Sequence, residues 1–347
     1  MQRNISNALF QILLPGICLL SFVQRAHAEN PPLQVELIEV NRIWDHAPHN
    51  AFTDLIRFQK RWFCAFREGA HHVSKDGKLR ILWSNDAKEW ESAALLELEE
   101  FDLRDAGLSV MPDGRLMLSG GATSLDPQRP GTGSIASFST DGIEWSQPEI
   151  VIPVGRWLWK VTWHQGLGYG VTYSTGDKNP ASSLMTTSDG LEYETLVPEL
   201  YEAGRPTEAK LQFDADTCLC LHRRDGKENS ALLGKANPPY TKWQWFDLEK
   251  RLGGPNFMQL PDKNWVACGR MYDGRQRTEL SWLDVERGRM LPLLTLPSSH
   301  HETSYPGMVW HDGKLWISYF STHEKNTSIY LAQVKLSENT PSESKSK

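Results

Sequence analysis

The chain has 347 residues, 39% hydrophobic and 23% charged, with a formal charge of −6. Such a composition excludes disordered and collagen-like chains, and the negative balance argues against a non-specific nucleic-acid binder. Fourteen Trp, 26 Gly and 20 Pro point to a turn-rich globule, long enough to bury a large core without disulfide staples.

The first element in chain order is an export signal. Arg3 supplies a positive charge, Ala8 to Val23 is mostly apolar, and Ala26-His27-Ala28 is a small-x-small cleavage site. Cleavage after Ala28 is expected, so residues 1–28 read as a signal peptide and the protein as secreted or periplasmic. The apolar run is shorter than the ~20 residues a helical span needs, and no later stretch is apolar enough to cross a bilayer. Residues 29–336 read as one folded domain, and 337–347 as a polar tail. Cys64, Cys218, Cys220 and Cys268 are expected to be buried free thiols. The i, i+2 spacing of Cys218 and Cys220 does not fit a zinc knuckle.

A pattern of strand, tight polar turn, second strand, and a third strand closed by a Ser/Thr-x-Asp turn with an aromatic recurs six times. Its copies start near Leu55, Leu108, Val161, Leu211, Phe257 and Met308, a period of about 50 residues that suits a four-stranded propeller blade. Hairpin signals fall at Pro112-Asp113-Gly114 and His311-Asp312-Gly313. No long stretch has helical apolar spacing. The fold expected is all-β, a six-bladed β-propeller of four-stranded antiparallel blades. Leu33 to Ile43 is strand-like and is expected to complete the sixth blade, closing the ring so that no sheet edge is left open.

A propeller sorts its polar residues by geometry. The start of each innermost strand and the end of the second decorate one rim of the central channel. First-strand starts contribute Asp54, Asp105, Lys160, Glu208, Asn256 and Tyr305. Second-strand ends contribute Arg67, Glu68, Tyr173, Arg223, Arg224, Arg270, Tyr272 and Tyr319, with His71, His72, His323 and Glu324 just beyond. Arginines from three blades facing one mouth repel unless an anion joins them, which suggests a carboxylate-bearing ligand. The Ser-x-Asp turns read as scaffold: their side chains cap backbone N–H groups and the aromatic packs between blades.

These positions resemble the sialidase (neuraminidase) superfamily of six-bladed propellers. Degenerate Asp-box-like turns at Ser84, Ser139 and Ser188, Phe63-Cys64-Ala65-Phe66-Arg67-Glu68, Glu208 with Arg223-Arg224, and Thr303-Ser304-Tyr305 with Tyr319 and Glu324 carry the likeness. The resemblance implies that Tyr305 is the nucleophile and Glu208 its base. It implies further that Arg67, Arg223 or Arg224, and Arg270 or Arg277 hold a carboxylate. His49 to Asp54 contains no arginine where the family has Arg-Ile-Pro, and the loop after Arg67 reads Gly69-Ala70-His71-His72 where the family's acid follows. The acid/base therefore falls to Asp105, His71, His72 or Asp76. The catalytic set is then Tyr305, Glu208, Asp105 and His72. The substrate-binding set is Arg67, Glu68, His71, Arg223, Arg224, Arg270, Tyr272, Tyr319 and Glu324.

The function expected is an exported exo-glycoside hydrolase removing a terminal acidic or deoxy sugar from a glycan. The alternatives are a lyase acting on a uronate-containing polysaccharide and a non-catalytic glycan-binding propeller. No metal, cofactor or nucleic-acid partner is expected.

Overall fold

The computed structural model describes residues 30–176, 181–299 and 301–339. The expected signal peptide lies outside the described residues, as does the tail from residue 340 onward. Among the described residues there is no helix; 25 strands form six antiparallel sheets. The inner strands of the blades are His49–Phe58, Phe101–Val110, the broken pair Arg156–Leu158 and Thr162–His164, then Pro206–Asp214, Leu252–Gln259 and Thr303–His311. Blades 1, 2, 4 and 5 then run outward through three further strands in a simple meander, the break makes blade 3 five-stranded, and blade 6 takes its outermost strand from an earlier part of the chain.

The ring closes as the sequence suggests. Leu33–Trp44 is the outermost strand of blade 6 and pairs antiparallel with Ser328–Glu338, from Leu33 against Glu338 to Trp44 against Ile329. Ser337 and Glu338, the first two residues of the expected tail, are thus held in the sheet. Apolar clusters fill the space between adjacent blades, as where Phe63, Leu79 and Ile81 of blade 1 meet Leu103, Leu108 and Leu118 of blade 2. Cys64, Cys218, Cys220 and Cys268 are all buried free thiols.

Three closing turns share one hydrogen-bond pattern. In blade 2, Asp141 Oδ1 accepts from the N–H of Ile143 and Glu144, and Ser139 Oγ accepts from Gly142 N–H. Ser84 with Asp86 and Thr187 with Asp189 repeat it, so the hydroxyl of the third copy is Thr187 rather than Ser188. Gly142 has φ 78° and sits so close to Phe63 of blade 1 that a Cβ would lie 2.3 Å from the ring. Turn and blade junction therefore need the same glycine.

Five inner strands carry a two-residue irregularity at one height. The ladders skip between Ala51 and Asp54, Arg104 and Gly107, Pro206 and Ala209, Gly253 and Asn256, and Ser304 and Gly307. Within these bulges Phe52, Asp105, Gly254 and Tyr305 have φ of 64°, 53°, 57° and 52°. The left-handed backbone is costly for a residue with a Cβ, and bulges re-aim side chains at barrel and propeller rims. The inner strands start several residues before the apolar runs that mark each repeat, because the bulge breaks the alternation there.

Candidate functional site

The bulges of blades 4 and 6 place Glu208 and Tyr305 in contact. The Tyr305 hydroxyl donates to Glu208 Oε1 at 2.6 Å, and Arg223 Nη1 reaches both, at 2.6 Å to that oxygen and 3.0 Å to the phenol. Glu208 Oε2 accepts from Gly254 N–H at 2.7 Å, so both carboxylate oxygens are fixed. Asp225 holds the far side of the Arg223 guanidinium at 2.9 Å. Burial pushes the Tyr305 phenol well above its ordinary range, and the Glu208 carboxylate pushes it further, against the pull of Arg223 and Arg270. At rest the phenol is therefore neutral, with its proton already aimed at the group that can take it.

Arg270 completes the cationic side. Its guanidinium carbon stands 5.4 Å from the Tyr305 ring centroid, and Nε and Nη2 donate to the Thr303 carbonyl at 3.0 and 2.8 Å. The residue is buried, yet among the described residues no carboxylate pairs with it. A buried guanidinium without a counter-ion favours an anion.

Asp105, from the bulge of blade 2, faces the same space. Its side chain is 6% exposed and lies 3.7 Å from Arg104. Burial pushes its carboxyl up to about 6, with Arg104 opposing and Glu208 adding to the rise. An acid tuned this way can hold a proton near neutrality and give it up.

Aromatic rings wall the pocket. Phe52 meets Tyr305 edge-on at 5.0 Å and Trp159 does so at 6.0 Å. Trp157 stacks on Tyr173 at 5.8 Å and lies flat against Gly121. Beside Phe52, Glu302 receives two histidines. His49 Nε2 is 2.9 Å from Oε2, and His72 Nδ1 is 2.9 Å from Oε1. Burial works against the charged form of Glu302, but these two hydrogen bonds hold its carboxyl far below the usual range.

Of the residues singled out from sequence, the structure brings together Tyr305, Glu208, Arg223, Arg270 and Asp105. His72 joins them through Phe52, at 5.1 Å between rings. Tyr272 stacks under Arg251 at 4.1 Å, close enough to act electrostatically on Arg223.

Several others lie elsewhere. Arg67 is fully buried and spends its donors on Asp102, the His71 carbonyl and Ser74. Glu68 is held by Arg80 and the Trp44 indole. His71 is exposed and contributes its carbonyl to Arg67. Arg224 points away from Arg223, as neighbours on a strand must, and is bound to Ser230 and Asp247. Arg277 pairs with Asp273 and Glu279. Tyr319 is core, its hydroxyl donating to the Pro297 carbonyl, and Glu324 pairs with Arg42 at the surface. Asp76 is exposed and caps Ala70 N–H. Among the rim residues Asp54 and Lys160 pair with each other at 3.1 Å, and Asn256 donates to the Pro306 carbonyl. Sequence reasoning missed Phe52, Arg104, Trp157, Trp159, His49 and Glu302 as parts of the site. The signal that finds three of them is register: Phe52 is the bulge counterpart of Asp105 and Tyr305, Arg104 flanks a bulge, and Glu302 lies two residues before the residue that flanks one.

No protein-family model and no curated protein matches this sequence. Solved structures do. A protein of unknown function from Dyadobacter fermentans superposes with a TM-score of 0.72 at 18% identity, over 88% of this chain and 100% of that one. Trypanosoma rangeli sialidase in complex with sialic acid gives a TM-score of 0.67 at 10% identity, over 88% of this chain and 59% of that one. The endosialidase of phage phi92 gives 0.66 at 11% identity, over 89% and 70%. The chain spans little more than half the length of the trypanosomal enzyme. Its fold is a six-bladed β-propeller with sialidases among its structural neighbours.

Proposed function

We propose that the protein is an exported exo-acting glycoside hydrolase that removes a terminal acidic sugar from a glycan by tyrosine–glutamate chemistry. The observation that carries this reading is the hydrogen bond of Tyr305 to Glu208, bridged by Arg223. A phenol is a poor nucleophile until its proton leaves, since its ordinary pKa is about 10, and Glu208 is placed to accept that proton. A neutral tyrosine also approaches an anionic sugar without the repulsion a carboxylate nucleophile would meet; sialidases depart in this way from the two-carboxylate rule. Arg223 and Arg270 would hold the sugar's carboxylate.

In the first step the Tyr305 oxygen bonds to the anomeric carbon as the glycosidic bond breaks. The phenol proton passes to Glu208, and Asp105 protonates the leaving oxygen. In the second step Asp105, now ionised, takes a proton from water. That water displaces the phenolate, which recovers its proton from Glu208. Because Asp105 must begin protonated, the rate should fall as pH rises through about 6.

The test is a panel of acidic oligosaccharides, with sugar release and near-ultraviolet absorbance read together. Tyr305→Phe should lower kcat by on the order of 10³-fold or more while leaving ligand binding nearly unchanged. A Tyr305→Phe protein that turns over at the wild-type rate overturns the assignment. An absorbing, unsaturated product would make the protein a lyase. Binding without release would make it a glycan-binding propeller.

A further inference from the structure

We propose that His49, His72 and Glu302 form a binding site for a divalent transition-metal ion of the zinc type, at the edge of the tyrosine pocket. One ligand atom from each residue lies within 4.8 Å of the other two. Two imidazoles and one carboxylate are donors that zinc accepts, at about 2.0–2.2 Å each. His49 Nε2 and His72 Nδ1 already converge on the Glu302 carboxylate at 2.9 Å. An ion set among the three needs only a modest inward movement of His72, which lies on an exposed loop.

A second observation concerns what Glu302 does not do. Asp102 of blade 2 stands at the same register position, two residues before the residue that flanks the bulge. Asp102 neutralises Arg67, the buried arginine of the preceding blade. For blade 6 the equivalent arginine of the preceding blade, Arg270 of blade 5, bonds the Thr303 carbonyl instead. Glu302 is thereby left with histidines alone among the described residues. An anion released from its arginine and faced by two imidazole nitrogens is what a cation site requires.

Three protein ligands leave a fourth position for water or an anionic ligand. The Phe52 ring stands between His72, at 5.1 Å, and Tyr305, at 5.0 Å. The ion would thus add positive charge on the side of blades 1 and 6, where Phe52 presents none, facing Arg223 and Arg270 from blades 4 and 5. The site stands independently of the glycosidase reading, because its test measures binding rather than turnover.

The full chain, freed of metal by a chelator, is titrated with Zn²⁺ against a chromophoric competitor. The expected result is one ion per chain, with His72→Ala and Glu302→Gln each weakening it by about 10-fold or more and His71→Ala leaving it unchanged. Co²⁺ should give the visible absorption of a four-coordinate site in the wild type and not in His72→Ala. His72 is a loop residue, and equal thermal unfolding of metal-free wild type and His72→Ala checks that the variant folds. Zn²⁺ affinity that is the same in wild type, His72→Ala and Glu302→Gln overturns the proposal, as does a Co²⁺ spectrum indifferent to His72.

Discussion

Two blade junctions use the same parts and reach opposite ends. At the junction of blades 1 and 2, Arg67 faces Ala51 across the ladder; at the junction of blades 5 and 6, Arg270 faces Gly253. Ala51 and Gly253 both flank a bulge, so the two arginines are structural counterparts, as are Asp102 and Glu302. In the first junction cation and anion meet at 2.9 Å with side chains 0% and 2% exposed. Gly69 and Gly77 leave the room: a Cβ on Gly77 would lie 1.7 Å from Asp102 Oδ1. In the second junction the partners separate, Arg270 toward Tyr305 and Glu302 toward His49 and His72. A sealed ion pair is a structural device, whereas a split one exposes two reactive charges to one pocket. The difference lies in the partners, not in the residue types.

The largest effect should come from breaking the sealed pair. Asp102→Ala leaves Arg67 buried without its counter-ion, which should cost about 3–5 kcal/mol, read as a fall in the midpoint of urea unfolding. A loss below about 1 kcal/mol would show that the Ser74 and His71 contacts alone satisfy Arg67. Arg270→Ala is the matching change at the split junction. It removes a buried charge that has no carboxylate partner, so unfolding should be little affected. Affinity for an acidic sugar should instead fall by about 1.5–3 kcal/mol, the worth of a charge-assisted contact, measured by calorimetry. Equal stability losses in the two variants would erase the distinction between the junctions.

Asp105 sharpens the comparison, because its carboxyl has a looser cationic neighbour than Asp102 has, Arg104 at 3.7 Å against Arg67 at 2.9 Å. Its folded pKa of about 6 lies above the ordinary 3.8. The neutral form is thus favoured in the folded state, and the stability it contributes is full below pH about 4 and lost as pH rises through 6. Asp105→Asn has no such loss. It should match wild type near pH 4 and exceed it above pH 6 by on the order of 1–3 kcal/mol, followed as thermal unfolding against pH.

Much of the fold was legible in the sequence because propeller blades announce themselves through turns. Asp-Gly hairpins and the three Ser/Thr-x-Asp closures are local chemistry, readable within a few residues, and the spacing of the six repeat starts counts the blades. The strand Leu33–Trp44 was legible from its apolar residues and from the need to close the ring. The contact between Tyr305 and Glu208 follows from ring geometry once the inner strands are placed. Arg223 and Arg224 could not be separated, because a one-residue difference in register turns a side chain to the other face. Arg67 read as a pocket residue because its partner Asp102 precedes the next blade's bulge, and bulges carry no residue signature of their own. His49 and Glu302 meet across 253 positions, with nothing local to couple them.

The smallest effect tests the other end of the molecule's logic, where the recurrent turns act as scaffold. In the turn of blade 2 the carboxylate of Asp141 is held below its ordinary range by the N–H groups of Glu144 and Ile143. Asp141→Ala frees both donors in an exposed turn that water can reach, so the loss should be about 1 kcal/mol, as for a helix cap. Because that turn rests on Phe63 of blade 1 through Gly142, the cost should appear in global unfolding and leave ligand affinity at the pocket unchanged. A drop in affinity comparable to that of Arg270→Ala would mean that the blade junction transmits strain to the pocket, and that scaffold and site are not separable in this ring.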